Sequence, residues 1–414
     1  MDSFLTSILL FNKLKKKVID VQEIKEFFSK LDYGLLFFLF LFSIISCLFV
    51  FSGQQTGQYE ANFVPKQIGW YVFSILLMLA VAFLDFDQLK RLSWYIFGFV
   101  LVFIIILRFS PESIAKPING SKAWFQLPLL GSFQPSEFMK IAFIILLSNM
   151  AEKHNERYIA RTISSDFRLI GKMTLVCLVP FIFVYIQPDT GMIMLYLAII
   201  IPILITSGIS WKIIAAVAAL PTIILSTLLV LYFKYNDFFE SQLLSLVQNH
   251  QRERINGWLK PYEYVNEGYQ TKQAITAIGS GMVSGKGWTE GNMYVPEAHT
   301  DFIFSMIGED LGFVGTAAVV TLYFILMYKI IGIAHGSKNS FGGYMCAGIV
   351  GVLSFQAFQN IGMNIGLLPV TGVTLPFLSY GGSSLLSNMI LMGLVVGVKV
   401  QTRKFMFEVN DLKM

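Results

Sequence analysis

Long apolar runs alternate with short polar segments along most of the 414-residue chain. Ten of these runs approach the ~20 apolar residues that one crossing of a hydrocarbon layer requires. They lie near 34–52, 67–84, 93–108, 136–152, 173–187, 191–207, 212–233, 301–331, 342–366 and 380–400. Each is continuously apolar rather than alternating, which predicts helices and excludes a β-barrel. The expected fold class is an all-α polytopic membrane protein with about ten transmembrane helices. A large extracytoplasmic loop is expected between spans seven and eight. The run at 301–331 is longer than one crossing needs, so it should tilt or project past the membrane. The chain divides into a basic segment at 1–33, a single membrane domain at 34–400 containing the loop 234–300, and a tail at 401–414.

Composition supports this reading. Hydrophobic residues make up 55% of the chain and charged residues only 14%, beyond the ~50% apolar content usual for soluble domains. Cys47, Cys177 and Cys346 all lie inside apolar runs, far apart and without metal-ligand spacing, so they read as small buried residues. The first run begins near Leu35 behind a lysine-rich segment, which reads against a cleavable signal peptide. That segment mixes Lys13, Lys15, Lys16, Lys17, Lys25 and Lys30 with Leu9, Leu10, Phe11, Leu14, Val18 and Phe27. Two readings stand: an amphipathic helix on an anionic leaflet, or a plain cytoplasmic tail. With the N-terminus inside, twenty Lys and Arg fall on the inner side and four on the short outer loops. The positive-inside rule then predicts that both termini are cytoplasmic.

Three polar segments therefore face outward. Residues 109–135 and 367–379 are rich in Gly, Pro and Ser and read as turns or re-entrant segments. The third is the long loop, where Phe238–Ile255 has the spacing of an interfacial helix.

The candidate chemistry sits at the outer ends of the runs. Asp301 stands where the long loop enters span eight. It reads equally as a carboxylate general base or as a first-turn aspartate favoured by the helix macrodipole. Glu137 and Lys140 share one face of span four. Intramembrane charges are costly and usually face a polar cavity, so Lys140 could attract a pyrophosphate that Glu137 positions, or the two could form a structural pair. Trp124 could stack on a sugar ring or belong to an interfacial belt. Asp189, in Gln187-Pro188-Asp189-Thr190-Gly191, reads as a cap for span six. Glu309, two turns below Asp301, reads as a second buried acid with a pairing role. Arg254 and Lys286 could bind phosphates from the loop. The four histidines, at 154, 250, 299 and 335, form no cluster, so no metal site is expected. No nucleotide-binding fingerprint is present, and no nucleic-acid partner is expected.

Several long motifs, in order, carry a resemblance across nearly the whole chain. They are QPSEFMK at 134–140, QPDTG at 187–191, GYQTKQAITAIGSGMVSGKG at 268–287, PEAHTDFIFSMIGEDLGFVG at 296–315 and NIGMNIGLLPVTGVTLPFLSYGGSS at 360–384. The chain resembles the SEDS proteins (shape, elongation, division and sporulation). His299-Thr300-Asp301-Phe302 and Gly285-Lys286-Gly287 resemble the elongation branch, RodA, more than the division branch, FtsW.

This resemblance implies a peptidoglycan glycosyltransferase in the bacterial cytoplasmic membrane, with ten spans around a central cavity. It would polymerise lipid II-derived disaccharides at the outer face in support of cell elongation. The family's essential acid maps onto Asp301, its loop tryptophan onto Trp124, and its span-four acid and base onto Glu137 and Lys140. Many members carry Arg directly before that Trp, where this chain has Ala123 preceded by Lys122. Within the same motifs Glu297, His299 and Thr300 are assigned to substrate binding. Gln134, Ser136, Glu309, Ser379 and Tyr380 are assigned to the cavity or its support. No cofactor is assigned, and a divalent cation is left open.

The implied partners are lipid II and the growing glycan, a class B penicillin-binding protein with one span, and other membrane proteins of the elongation machinery. Gly312, Gly315, Gly342 and Gly343 offer small residues for a partner helix on spans eight and nine. An inverting transfer needs one base and electrostatic help for the leaving group, without a covalent nucleophile. The competing readings are a lipid II flippase, which needs access to both leaflets, a division paralogue with the same chemistry, and a structural scaffold.

Overall fold

The computed structural model describes residues 21–55, 58, 62–118, 120–127, 131–243, 249–266 and 268–408. Of the segment 1–33 read as a membrane-surface helix or a tail, residues 1–20 lie outside them, as does Lys413. A short helix α1 (Val21–Lys30) leads into ten longer ones. These are α2 (Tyr33–Gln55), α3 (Val64–Ala82), α4 (Phe86–Phe109), α5 (Pro135–Arg157), α6 (Ile163–Ile186), α7 (Thr190–Thr206) and α8 (Trp211–Lys234). After the long loop come α11 (Ile303–Gly336), α12 (Ser340–Asn364) and α13 (Gly382–Glu408). The loop itself holds α9 (Asn249–Leu259) and α10 (Tyr269–Ser280). Among the described residues eight helices are long and apolar enough to cross a membrane. Of the other two long helices, α7 is only 17 residues and α5 is interrupted by charges.

The centre of the bundle is α5, whose buried positions run all round the helix from Pro135 to His154. It lies against α4, α7, α12 and α13, and α13 packs along α3. A helix enclosed on every side can carry polar residues only if they meet partners. Asn149 donates to Ser93 Oγ at 2.9 Å and to the Lys90 carbonyl at 3.0 Å. Glu152 pairs with Lys90 at 2.5 Å. By contrast α8 turns most of its length outward.

Three features differ from the expectations. Residues 109–135 contain a small antiparallel hairpin, β1 (Phe125–Leu127) with β2 (Gly131–Phe133), paired Phe125 to Phe133. The strands satisfy one another's backbone, so the fold is mostly rather than wholly helical. The interfacial helix expected at 238–255 is not one element. A helical turn at Asn236–Phe238 passes into a π turn at Phe239–Leu243, and α9 begins at Asn249. Residues 244–248 lie outside the described set.

Third, α11 is two helices joined at Gly312, where φ is 64° and ψ is −157°. That break would strand carbonyls before it and amides after it. The Gly281–Gly287 turn receives both sets. The Lys286 and Gly287 amides donate to the Glu309 and Asp310 carbonyls at 3.0 and 3.1 Å. The Phe313 and Val314 amides donate to the Met282 and Val283 carbonyls at 2.9 and 3.2 Å. Side chains reinforce the junction: Lys286 pairs with Glu309 at 2.6 Å, and Ser52 hydrogen-bonds Asp310.

The glycines expected on a partner-facing surface are therefore engaged elsewhere. A Cβ at Gly312 would lie 2.4 Å from the Gly285 amide nitrogen. Gly315 lies under the Leu311 side chain, and Gly342 packs on Phe86 and Val398. Gly343 is the one of the four with open space around it.

Gly312→Ala should therefore lower the melting temperature in detergent. The backbone conformation alone costs about 1–3 kcal/mol without glycine, and the contact with Gly285 adds to it. Gly332→Ala, in open space on the same helix, should be neutral or stabilising by up to about 1 kcal/mol. Equal melting of the two variants would contradict the account of the break.

Candidate active site

A cavity of about 800 Å³ opens at one end of the bundle. Its wall is built from the starts of α5, α7 and α13, the segment before α11, the hairpin, α9 and residues 370–374. Asp301, Trp124, Glu137, Arg254, Glu297, His299, Thr300, Gln134 and Tyr380 line it. Residues distributed over most of the sequence thus meet in one space.

The hairpin explains the placement of Trp124. Phe125 and Phe133 stack with ring centroids 6.4 Å apart, and Phe103 of α4 meets both edge-on. This fixes the strand that follows Trp124 and the residue, Gln134, that opens α5. Lys122 turns away from the cavity and donates to the Ser110 carbonyl. Gln134 donates through Nε2 to Asp189 Oδ2 at 2.9 Å, and Asp189 Oδ1 accepts from the Met192 amide at 3.3 Å. Asp189 is thus the cap the sequence suggested, and it is also a wall of the cavity. Burial, with Glu137 contributing and the two hydrogen bonds opposing, pushes it up to about 6.

Lys140 does not reach the cavity. It is fully buried, 2.6 Å from Glu137 Oε2 and 3.2 Å from Asn388 Oδ1. Glu137 also accepts from Ser387 Oγ at 2.7 Å. Removing one partner of such a pair leaves a bare buried charge, a cost of ~3–5 kcal/mol. The geometry makes Lys140 the counter-charge of Glu137, and only Glu137 faces the cavity. Lys286 is also away from the cavity, bound to Glu309 and 3.0 Å from Asn292 Oδ1. Glu309 accepts the Asn292 and Met293 amides as well, at 2.9 and 3.1 Å. Ser136 lies behind the wall, its carbonyl accepting from Tyr196 at 2.9 Å.

The segment before α11 is held by its main chain. The Tyr380 amide donates to the His299 carbonyl at 2.9 Å, and Ser379 Oγ donates to the Thr300 carbonyl at 2.6 Å. His299 stacks on Phe63 at 4.3 Å and is shifted down by burial. Thr300 Oγ1 donates to Glu297 Oε2 at 3.0 Å. Helix α11 is capped at Phe302 without a side-chain hydrogen bond from that residue, so Asp301 lies outside the first turn. Its carboxyl sits beside Gly372 on the cavity wall. The macrodipole alone would lower its pKa. Burial outweighs that, Glu297 adds to it and Arg254 opposes it, leaving Asp301 near 7.

Several wall residues carried no clear sequence signal. Trp70 lies inside an apolar run and rests on Gly382. Ser383 and Ser384 lie at the start of α13, where Ser384 bonds Thr374 at 2.6 Å. Four helices, α5, α7, α11 and α13, start at this wall. Each N-terminus contributes roughly half a positive charge, which together with Arg254 offsets part of the charge of the wall's carboxyls, Glu137, Asp189, Glu253, Glu297 and Asp301. Among the described residues no three His, Cys, Asp or Glu side chains are grouped to hold a metal ion.

A base must be unprotonated to act. Turnover that depends on Asp301 should thus fall about tenfold per unit as pH drops well below 7, and level off above about 8. A pH–rate profile checks this, and a flat profile between pH 5 and 8 would contradict it.

The family model FTSW_RODA_SPOVE, described as "Cell cycle protein", matches residues 30–404. The peptidoglycan glycosyltransferase MrdB of Escherichia coli (strain K12) is 30% identical over 384 residues, covering 90% of this chain and 95% of that protein. A probable peptidoglycan glycosyltransferase FtsW of Hydrogenovibrio crunogenus is 33% identical over 316 residues, covering 75% and 74%. Among solved structures, a chain of a peptidoglycan synthase complex that coordinates polymerization and crosslinking superposes with a TM-score of 0.69. It is 26% identical, with 90% and 98% coverage. The rod shape determining protein RodA of Thermus thermophilus shares the fold, with a TM-score of 0.63, 24% identity and 89% and 96% coverage.

Proposed function

The chain belongs to the FtsW/RodA/SpoVE family of cell cycle proteins, and on that premise we propose how it acts as a peptidoglycan glycosyltransferase. The observation that carries the reading is the placement of Asp301. Its carboxyl is excused from capping α11, is poised near neutrality, and faces a cavity wide enough for saccharides.

Asp301 accepts the proton of the acceptor hydroxyl as that oxygen attacks the anomeric carbon of the lipid-linked donor. The donor's bond to pyrophosphate breaks on the opposite face, so the configuration inverts. Lipid pyrophosphate leaves without being protonated. Its charge is offset by Arg254 and by the helix N-termini around the cavity. Trp124 and Trp70 offer flat apolar faces to sugar rings. No cofactor takes part in this scheme.

We place ten helices across the cytoplasmic membrane, with both termini inside and the cavity at the outer leaflet. Every wall element then comes from an outer loop or the outer end of a helix. A flippase would need a polar route to the other leaflet, and the cavity lies at one end of the bundle. Lipid II and the growing glycan are the proposed ligands. A class B penicillin-binding protein is the proposed partner, alongside other membrane proteins of the elongation machinery. The outward aromatic face of the second part of α11, with Phe313, Phe324 and Tyr328 exposed, is available to a partner helix in place of the glycines.

The test is polymerisation in sealed proteoliposomes holding the chain with its transpeptidase partner. Labelled lipid II should give long glycan, and a Cys at position 124 in a Cys-free variant should label from the side bearing the product. Movement of lipid II between leaflets without glycan would replace this reading with the flippase. Labelling of position 160 from the product side would overturn the orientation.

A further inference from the structure

Helix α11 starts at Ile303 next to the proposed base, yet its own cap residue, Phe302, supplies no side-chain acceptor. The acceptor comes from another helix. Asn364, near the end of α12, receives the Ser305 amide on Oδ1 at 3.1 Å. Ser305 occupies the third position of α11, where a local cap side chain would ordinarily accept. The same side chain donates through Nδ2 to the Asp301 carbonyl at 3.1 Å. Asn360, one turn earlier, donates to the Asp301 carbonyl at 2.8 Å and to the Val373 carbonyl at 2.9 Å. Asn364 also donates to Asn360 Oδ1 at 3.3 Å, tying the two amides together. Neither side chain has any exposed surface.

Two fully buried asparagines in an otherwise apolar helix are costly unless every polar atom is used. Here they are spent on the Asp301 carbonyl, the Ser305 amide and the Val373 carbonyl, and on each other. With Ser379 on the Thr300 carbonyl and the Tyr380 amide on the His299 carbonyl, the carbonyls of 299, 300 and 301 are all held from outside. An aspartate at the cap position ordinarily turns back to accept a first-turn amide, and Asp301 stands one residue before that position. With the Ser305 amide shared between Asn364 Oδ1 at 3.1 Å and the Phe302 carbonyl at 3.0 Å, the carboxylate has no such call on it.

We propose that Asn364, supported by Asn360, is a positioning residue that caps α11 in trans and thereby frees the Asp301 carboxylate for the cavity. The proposal rests on the reading of Asp301 as the base. It adds that the geometry of the base is set by α12, outside the loop that carries it.

The test uses the full-length chain with its partner, and lipid II as substrate. Asn364→Leu removes both acceptor and donor. It should lower kcat about tenfold or more while KM stays within about twofold, since the carboxylate is displaced and the cavity wall is kept. A carboxylate drawn back to the Ser305 amide, which then keeps only the Phe302 carbonyl as partner, is also stabilised in its charged form. The acidic limb of the pH–rate profile should then move to lower pH. The charged groups facing Asp301, Glu297 from its own segment and Arg254 from α9, are unchanged in this variant, so the shift reports the lost cap.

Asn364→Gln keeps the amide one methylene away and should give a smaller loss of kcat, with KM unchanged. It decides the matter if the Leu variant does not fold. A merely structural role would reduce folded protein while leaving kcat per folded molecule and the limb in place. Parental kcat and an unmoved limb in a folded variant would overturn the proposal. If Asp301→Asn is inactive and both Asn364 variants behave as the parent, only the trans cap fails. If Asp301→Asn is active, the base assignment itself fails.

Discussion

The governing constraint is that a backbone group beside hydrocarbon must find a partner within the protein. The two irregular points of α11 show how the chain meets it. At Gly312 the helix breaks, and the turn at 281–287 supplies donors and acceptors for the stranded groups on both sides. At the start of the same helix, Asn364 supplies the acceptor and donors from α12, Ser379 and Tyr380 hold the carbonyls. The segment between these points carries Asp301, Glu309 and Asp310. It is an over-determined piece of backbone, able to keep a carboxyl in a costly position because everything around that carboxyl is fixed.

The electrostatics follow the same division of labour. Charges that face the cavity are backed by charges that do not. Glu137 is on the wall and Lys140 is sealed behind it. Glu309 is sealed with Lys286 at the helix break. Arg254 is the cation brought to the wall from the loop, and it faces the two carboxyls whose pKa values burial has raised, Asp301 and Asp189. A ligand arriving here meets helix N-termini and the Arg254 guanidinium, set among the carboxyls of Glu137, Asp189, Glu253, Glu297 and Asp301.

Much of this was legible in the sequence. The apolar runs located most of the long helices to within a few residues, because length and continuous hydrophobicity are read directly from the chain, but they placed the starts of α4 and α6 seven and ten residues late, where polar first turns precede the apolar run. Asp301 and Glu137 stood out as charges at the mouths of apolar runs, Trp124 and Arg254 as sugar- and phosphate-binding candidates in the outer loops, and the cavity brings the four together. Pairing was less legible. Lys140 was open between a pyrophosphate-binding cation and the partner of Glu137, and Lys286 looked like a phosphate-binding cation, because a charge in a sequence does not announce its counter-ion. Both have carboxylates at 2.6 Å. The glycines at 312, 315 and 342 suggested a helix–helix surface, whereas Gly312 serves a helix break and the other two serve internal packing. Asn360 and Asn364 did carry a signal: two amides one turn apart in an apolar span. Its meaning depended on which backbone lay opposite, which only the fold reveals.

The central claim is that Asp301 is a base and not a helix cap. The most direct measurement is glycan yield from lipid II by Asp301→Asn, together with a melting curve. Asn keeps the shape and caps about as well as Asp, and it removes an ionisation that the folded chain resists. With a folded-state pKa near 7, above the ordinary ~3.9, Asp301 loses its share of stability as pH rises through that value. The variant should therefore melt no lower than the parent at pH 8 while losing about 10²–10⁴ in rate. An Asp301→Asn protein that melts normally and still makes long glycan would contradict the account.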